Sequence, residues 1–197
     1  MTINLPTWIT FSRLLGAPAV LYLLASPDQT HQWIAAGVFL IAAGTDWLDG
    51  YLARRLNQIT DLGKFLDPLV DKLLVFAPLL ALVEMNVIPA WGVFLILFRE
   101  LAIAGWRVNP NLQAQGVQGA NLWGKAKTVV QIAAIALLIA PLNQAYPLWS
   151  TLSQSLFWLA VVLTWVSGLI YLWPSLSREL KAAPYPSSVT LRRDKAE

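Results

Sequence analysis

The 197-residue sequence contains no cysteine, a single histidine and few charged residues. Without cysteine, neither disulfide bonds nor thiolate metal sites can form. Only 13% of the residues are charged, whereas in soluble globular domains about a quarter are. In contrast, 57% are hydrophobic and ten are tryptophan. This composition excludes an ordinary soluble domain and predicts an integral membrane protein, for which we expect no nucleic-acid partner.

Six apolar segments are long enough to cross a bilayer, which takes about 20 mostly apolar residues. They cover residues 8–26, 32–54, 65–84, 89–107, 125–143 and 149–173. The predicted fold is therefore all-α, a polytopic membrane protein with six transmembrane helices. We expect one membrane domain over residues 1–173 and a polar, basic tail over residues 174–197. The first residues lack a basic segment and a small-residue cleavage site, so we interpret them as mature sequence.

Basic residues are distributed asymmetrically between the two sides of the predicted membrane domain. All fourteen lysines and arginines lie toward one side, and the three opposite loops, around 27–31, 85–88 and 144–148, contain none. Cytosolic loops of membrane proteins carry an excess of lysine and arginine. Both termini and the two long loops are therefore predicted to be cytosolic.

Four aspartates lie near the cytosolic ends of the second and third predicted spans: Asp46, Asp49, Asp67 and Asp71. At about 100° per residue, each pair shares one helix face. Carboxylates at membrane depth are costly and are usually functional, and four together repel one another unless cations hold them. Oxygen ligands suit Mg²⁺ or Mn²⁺. Four negative charges thus predict a site for two divalent cations, Mg²⁺ or Mn²⁺.

Small residues accompany the carboxylates. Gly50 and Ala53 share the face of the first aspartate pair, and Gly63 falls near the second. Their size lets a bulky group approach the metals, and a diphosphate fits, with Arg54 adding a charge-assisted contact. The pattern indicates phosphoryl-group transfer. Taken singly, the small residues also fit close helix packing, and Arg54 fits a membrane anchor.

The complete string resembles the signature of the CDP-alcohol phosphotransferases, with every fixed position filled. The matching residues are Asp46, Asp49, Gly50, Ala53, Arg54, Gly63, Asp67 and Asp71. The resemblance implies six membrane helices, a cytosol-facing dinuclear metal site, release of CMP and a homodimer. It also implies that the four aspartates bind the metals and that Asp71 is the general base. The CDP site would then comprise Asp46, Asp49, Gly50, Ala53, Arg54 and Gly63.

The acceptor alcohol has to be inferred from outside this signature. The stretches NLPTWITFSR, RELAIAGWR and GKAKT resemble the bacterial phosphatidylglycerophosphate synthases, a branch of the family that uses CDP-diacylglycerol and glycerol 3-phosphate in the bacterial plasma membrane. Glycerol 3-phosphate is a dianion and needs cations. The candidates are Arg99, Arg107, Lys125 and Lys127, at the cytosolic ends of the fourth and fifth spans. Anchoring to the membrane surface is the alternative role for each.

Two other functions stay open. A relative with another acceptor would use phosphatidylglycerol (a cardiolipin synthase), inositol phosphate or serine. A divalent-cation transporter would use the aspartates as a transit site, but the outer halves of the spans are nearly all apolar. It would also leave the glycines, Ala53 and Arg54 without a role.

Overall fold

A computed structural model describes the backbone of residues 5–56, 61–108, 122–142 and 145–182, and the side chains of residues 12–45, 68–106, 122–142 and 145–173. Over this backbone the chain forms six α-helices and no strand. In chain order these are α1 (Leu5–Leu24), α2 (Gln29–Leu56), α3 (Asp61–Glu84), α4 (Ala90–Val108), α5 (Leu122–Ile139) and α6 (Pro147–Ala182). The all-α prediction is confirmed, and each helix covers most of one predicted span.

Asp28 explains why α2 begins before the apolar pattern does. It precedes the helix, and the Thr30 backbone N–H donates to its carboxylate, which holds the pKa of Asp28 below its usual value. His31 Nδ1 lies 3.0 Å from Asp28 Oδ2 and contributes less. An aspartate in this position satisfies a helix N–H that has no partner within the helix. His31, which has no predicted role, is therefore part of the helix cap.

Helix α3 lies at the centre of the arrangement. It contacts α1, α2, α4 and α5, while α6 packs against α4 and α5. Large side chains from all six helices fill the space between them without exposure above 2%: Val20, Phe39, Leu79, Leu82, Ile96, Ile135, Ile139 and Phe157. This packing fixes the positions of α1, α4 and α5 relative to the aspartate-bearing α3.

Close contacts join α4 to α6. Gly92 lies so near Phe157 that a Cβ built on it would stand 2.9 Å from two ring atoms. The rings of Trp91 and Trp158 have centroids 4.5 Å apart, and those of Phe98 and Trp165 stack at 6.2 Å. The aromatic row holds α4 in register with α6, which matters because α4 carries Arg99 and Glu100.

Many large apolar side chains face outward on this bundle. Leu15, Tyr22, Ile41, Leu148 and Trp173 are each at least 70% exposed. Large exposed apolar patches usually mark a surface that contacts a partner or a membrane. Among the described residues, Leu122–Ile139 and Pro147–Trp173 are long and apolar enough to cross a membrane, and Ser12–Leu24 is a shorter apolar stretch. These features are consistent with a membrane protein.

Candidate functional site

Of the predicted site residues on α3, Asp71 is the one whose side chain the structure describes. An arginine of α1 contacts it. Arg13 Nη1 donates a hydrogen bond of 2.6 Å to Asp71 Oδ1. The two side chains differ sharply in exposure, because Arg13 is 1% exposed and Asp71 is 46% exposed. The arginine therefore lies within the helix packing, and the carboxylate presents part of its surface outside it.

The other signature residues lie outside the residues whose side chains are described. Positions 46, 49, 50, 53 and 54 belong to α2, and positions 63 and 67 belong to α3. Helices α2 and α3 contact each other. Among the described side chains, no three acidic or histidine residues form a metal-binding group. The predicted metal and CDP sites therefore stay predictions.

The donor set is chemically suited to the predicted ions. Asp71 offers a partly exposed carboxylate whose orientation is fixed by a charged hydrogen bond, and carboxylate oxygens are the ligands preferred by Mg²⁺ and Mn²⁺. Asp46, Asp49, Asp67 and Asp71 would hold the two divalent cations. Ligating carboxylates are commonly hydrogen-bonded in turn by a neighbouring group, as Asp71 is by Arg13.

A second ionic cluster joins α4 to α5. Glu100 Oε1 accepts hydrogen bonds from Arg99 Nη1, at 3.0 Å, and from Lys127 Nζ. The three side chains are only 10–19% exposed. Two cations converge on one carboxylate oxygen, so the cluster keeps one net positive charge. This ionic trio, Arg99, Glu100 and Lys127, brings together two of the four predicted phosphate-binding residues.

Helix α6 supports the trio from behind Arg99. Arg99 Nη2 donates to Ser167 Oγ at 2.9 Å, and Ser167 Oγ donates to the Thr164 carbonyl at 3.0 Å. The next residue is Gly168, and a Cβ built on it would stand 2.8 Å from Arg99 Nε and 3.2 Å from Arg99 Cγ. Only glycine leaves the guanidinium stem room to lie along α6.

Gly168→Ala is expected to displace Arg99 and weaken both of its hydrogen bonds. The added methyl group meets Nε and Cγ of an arginine whose end is already held by Glu100 and Ser167. Such overpacking typically costs about 1–3 kcal/mol. We expect a lower melting temperature and a higher KM for a phosphate-bearing acceptor.

Gly105→Ala on α4 is the matched control, because no atom lies within 4 Å of its added Cβ. It should leave the melting temperature unchanged or slightly raised. Equal behaviour of the two variants in thermal unfolding would contradict the close approach of Arg99 to Gly168.

Of the other two predicted phosphate-binding residues, the structure describes the side chain of Lys125 alone, and that side chain does not join the trio. Lys125 is exposed and lies two positions before Lys127 on α5, so the two lysines point about 200° apart around the helix. The side chain of Arg107 lies outside the described residues. Helices α4 and α5, which carry the trio, both contact α3. The trio is therefore close to the aspartate-bearing helix.

Sequence reasoning did not assign roles to Arg13, Ser167 or Gly168. A role for Arg13 could have been predicted, because it is the one charged residue of the first predicted span. Charged residues within membrane spans usually face a partner. Ser167 and Gly168 resemble ordinary small residues of a membrane helix. Their role depends on the rotation of α6 against α4, which an apolar pattern does not reveal.

Comparisons with known proteins confirm the predicted family. The family model of the CDP-alcohol phosphatidyltransferases matches residues 3–166. A Bacillus subtilis protein named CDP-diacylglycerol–glycerol-3-phosphate 3-phosphatidyltransferase is 41% identical over 182 residues, covering 85% of this chain and 93% of that protein. A Pseudomonas fluorescens protein of the same name is 36% identical over 187 residues, covering 89% of this chain and 93% of that protein.

A rice protein (Oryza sativa subsp. japonica) named cardiolipin synthase (CMP-forming) is 31% identical over 185 residues. The match covers 87% of this chain but 55% of that protein. The family match spans α1 to α5 and most of α6, and the bacterial relatives align over nearly their whole length. This chain therefore belongs to the CDP-alcohol phosphatidyltransferase family.

Proposed function

We propose that the protein transfers the phosphatidyl group of CDP-diacylglycerol to glycerol 3-phosphate, giving phosphatidylglycerol phosphate and CMP. The bacterial relatives named for this reaction support the proposal. The observation that carries the choice of acceptor is the ionic trio, since Arg99 and Lys127 converge on one carboxylate, keep a net positive charge and lie on helices that contact α3. A phosphate-bearing alcohol is the acceptor that such a site favours.

Arg99 and Lys127 retain the capacity to bind the acceptor phosphate. A guanidinium has five N–H donors and an ammonium has three, and the structure assigns two of the former and one of the latter to Glu100 and Ser167. Glu100 and Ser167 hold Arg99 at two points, so little side-chain freedom is lost when a phosphate binds. Arg107 and Lys125 are proposed to add longer-range attraction at the same side of the membrane.

The reaction requires one proton transfer and one displacement at phosphorus. Asp71 accepts the proton of the C1 hydroxyl of glycerol 3-phosphate as that oxygen bonds to the lipid-side phosphorus. The bond from that phosphorus to the oxygen bridging it to cytidylate breaks, and CMP leaves with this oxygen. Divalent cations held by the four aspartates would supply charge stabilisation at the diphosphate. Gly50, Ala53, Arg54 and Gly63 would shape the CDP site.

The membrane arrangement is part of the proposal. All six helices cross the membrane, both termini are cytosolic, and the site opens to the cytosol of a bacterial-type plasma membrane. The membrane domain spans residues 1–173 and the basic tail residues 174–197, and the protein acts as a homodimer. The one-sided distribution of basic residues supports this orientation, and the outward-facing apolar side chains support contact with lipid.

An acceptor series tests the proposed reaction. Purified protein in proteoliposomes receives CDP-diacylglycerol with glycerol 3-phosphate, phosphatidylglycerol, inositol phosphate or serine, and released CMP is measured. We expect CMP release with glycerol 3-phosphate and its loss in EDTA, restored by Mg²⁺ or Mn²⁺. Release of CMP with another acceptor but not with glycerol 3-phosphate would refute the assignment.

Cardiolipin synthesis is the second candidate, and the rice relative is the observation that favours it. Phosphatidylglycerol would bring a second lipid to the site. The trio would attract it less strongly than glycerol 3-phosphate, because its phosphate carries one negative charge rather than two. CMP release with phosphatidylglycerol in the acceptor series would support it. Metal flux without CDP-diacylglycerol would instead support a transporter.

A further inference from the structure

We propose that Arg13 is a positioning residue that orients the Asp71 carboxylate for metal binding and catalysis. The inference rests on the proposed role of Asp71 in the metal site. It adds α1 to the elements that build this site, although the acidic signature lies wholly on α2 and α3.

Burial of Arg13 is the first argument. The side chain is 1% exposed inside a helix whose residues 12–24 are an apolar stretch. A buried charge is costly unless it is paired and hydrogen-bonded, and in a membrane helix it usually marks a functional position. Arg13 donates to Asp71, which lies 58 residues away in the chain, so the contact joins α1 to α3.

The unequal exposure of the two partners is the second argument. The guanidinium is enclosed while the carboxylate stays 46% exposed. The arginine thus fixes Oδ1 from the protein side and leaves part of the carboxylate facing outward, where a ligand can reach it.

The geometry of the contact is the third argument. The Nη1–Oδ1 distance of 2.6 Å is that of a short charge-assisted hydrogen bond. Lys72, the nearest cation in the sequence, donates instead to the Pro68 carbonyl at 3.1 Å. A planar guanidinium holds a carboxylate in a defined orientation better than a flexible ammonium does. Arg13 therefore supplies an orienting group, and a positive charge alone does not replace it.

Arg13→Lys tests this role because it keeps the charge and removes the guanidinium geometry. Mn²⁺ binding is measured on the full chain in nanodiscs from the electron paramagnetic resonance signal of free Mn²⁺, alongside kcat and the melting temperature. Loss of a group that orients a metal ligand typically weakens metal affinity or activity about 10–100-fold. We expect an Mn²⁺ Kd at least about tenfold higher and a similar fall in kcat at saturating Mn²⁺.

Val20→Ala is the control for destabilisation alone. Val20 is fully buried on the same helix and belongs to the apolar core. It should lower the melting temperature and leave the Mn²⁺ Kd unchanged. An Mn²⁺ Kd for Arg13→Lys that matches wild type, or one that Val20→Ala raises equally, would overturn the positioning role.

A double variant that lacks both charges is the second test, for use if Arg13→Lys does not fold. Arg13→Gln combined with Asp71→Asn removes both charges, and its Mn²⁺ Kd should equal that of Asp71→Asn alone. A further large loss in the double variant would show that Arg13 acts elsewhere. If wild type binds Mn²⁺ and Arg13→Lys binds it weakly, but no acceptor yields CMP, the proposed reaction fails while the positioning role stands.

Discussion

Asp71→Asn should reduce turnover by about 10³-fold or more while leaving the protein folded. Asparagine has nearly the same shape, but its amide neither accepts the acceptor's proton nor binds a divalent cation as a carboxylate does. General-base catalysis alone contributes about 10²–10⁴-fold. The amide oxygen can still accept a hydrogen bond from Arg13, so the contact between α1 and α3 is weakened rather than lost. Turnover is measured as CMP release at saturating CDP-diacylglycerol, glycerol 3-phosphate and Mg²⁺.

The matched control for this prediction is Asp28→Asn. It makes the same chemical change at an exposed carboxylate in the loop before α2. Its turnover should equal that of wild type, and its melting temperature should change little, because asparagine caps a helix N-terminus about as well as aspartate does. If Asp71→Asn kept turnover within about tenfold of wild type, the base assignment would be wrong.

Glu100→Gln should strongly destabilise the protein. It removes the one negative charge of the ionic trio and leaves Arg99 and Lys127 close together with 10–12% of each side chain exposed. Breaking a buried ion pair by removing one partner typically costs about 3–5 kcal/mol. For a chain of this length that corresponds to a fall in melting temperature of roughly 10 °C. Thermal unfolding in detergent, followed by circular dichroism, measures the change.

Two further variants separate the ionic cause from a general effect of the substitution. Glu84→Gln changes an exposed glutamate at the end of α3 and should leave the melting temperature unchanged. Glu100→Gln combined with Lys127→Gln removes one positive and one negative charge, so it should recover much of the lost stability. If Glu100→Gln and Glu84→Gln had the same melting temperature, the trio would not stabilise the contact between α4 and α5.

Hydropathy predicts the helices of this protein well and their ends less well. A window of apolar residues identifies the part of a helix that lies in lipid, and the helix itself continues wherever the next residues favour it. The sixth segment illustrates this, because its apolar stretch ends near Trp173 but α6 continues to Ala182 through SLSRELKA. The start of α2 depends likewise on Asp28, a polar capping residue outside the apolar pattern.

The candidate site likewise has features that the sequence predicts and contacts that it does not predict. Spacing on one helix predicts which side chains share a face, and the family match covers the residues of the acidic signature. Contacts between helices depend on rotation and depth, which the sequence does not encode locally. Arg13 with Asp71 and Arg99 with Ser167 join residues 58 and 68 positions apart. The two lysines of α5 illustrate this as well. Lys125 and Lys127 are both basic, but it is Lys127 that contacts Glu100.

Helix α4 carries its arginine and its glutamate side by side, and this affects how the chain enters the membrane. Each isolated charge at the centre of an inserting helix costs about 2.5–3.5 kcal/mol on the translocon scale. The contact between Arg99 and Glu100 at 3.0 Å neutralises both within one helix. In the proposed topology, α4 can therefore leave the translocon before α5 is synthesised. Lys127 arrives later and shares the carboxylate that Arg99 already contacts, so the trio acquires its net positive charge only when α5 joins α4.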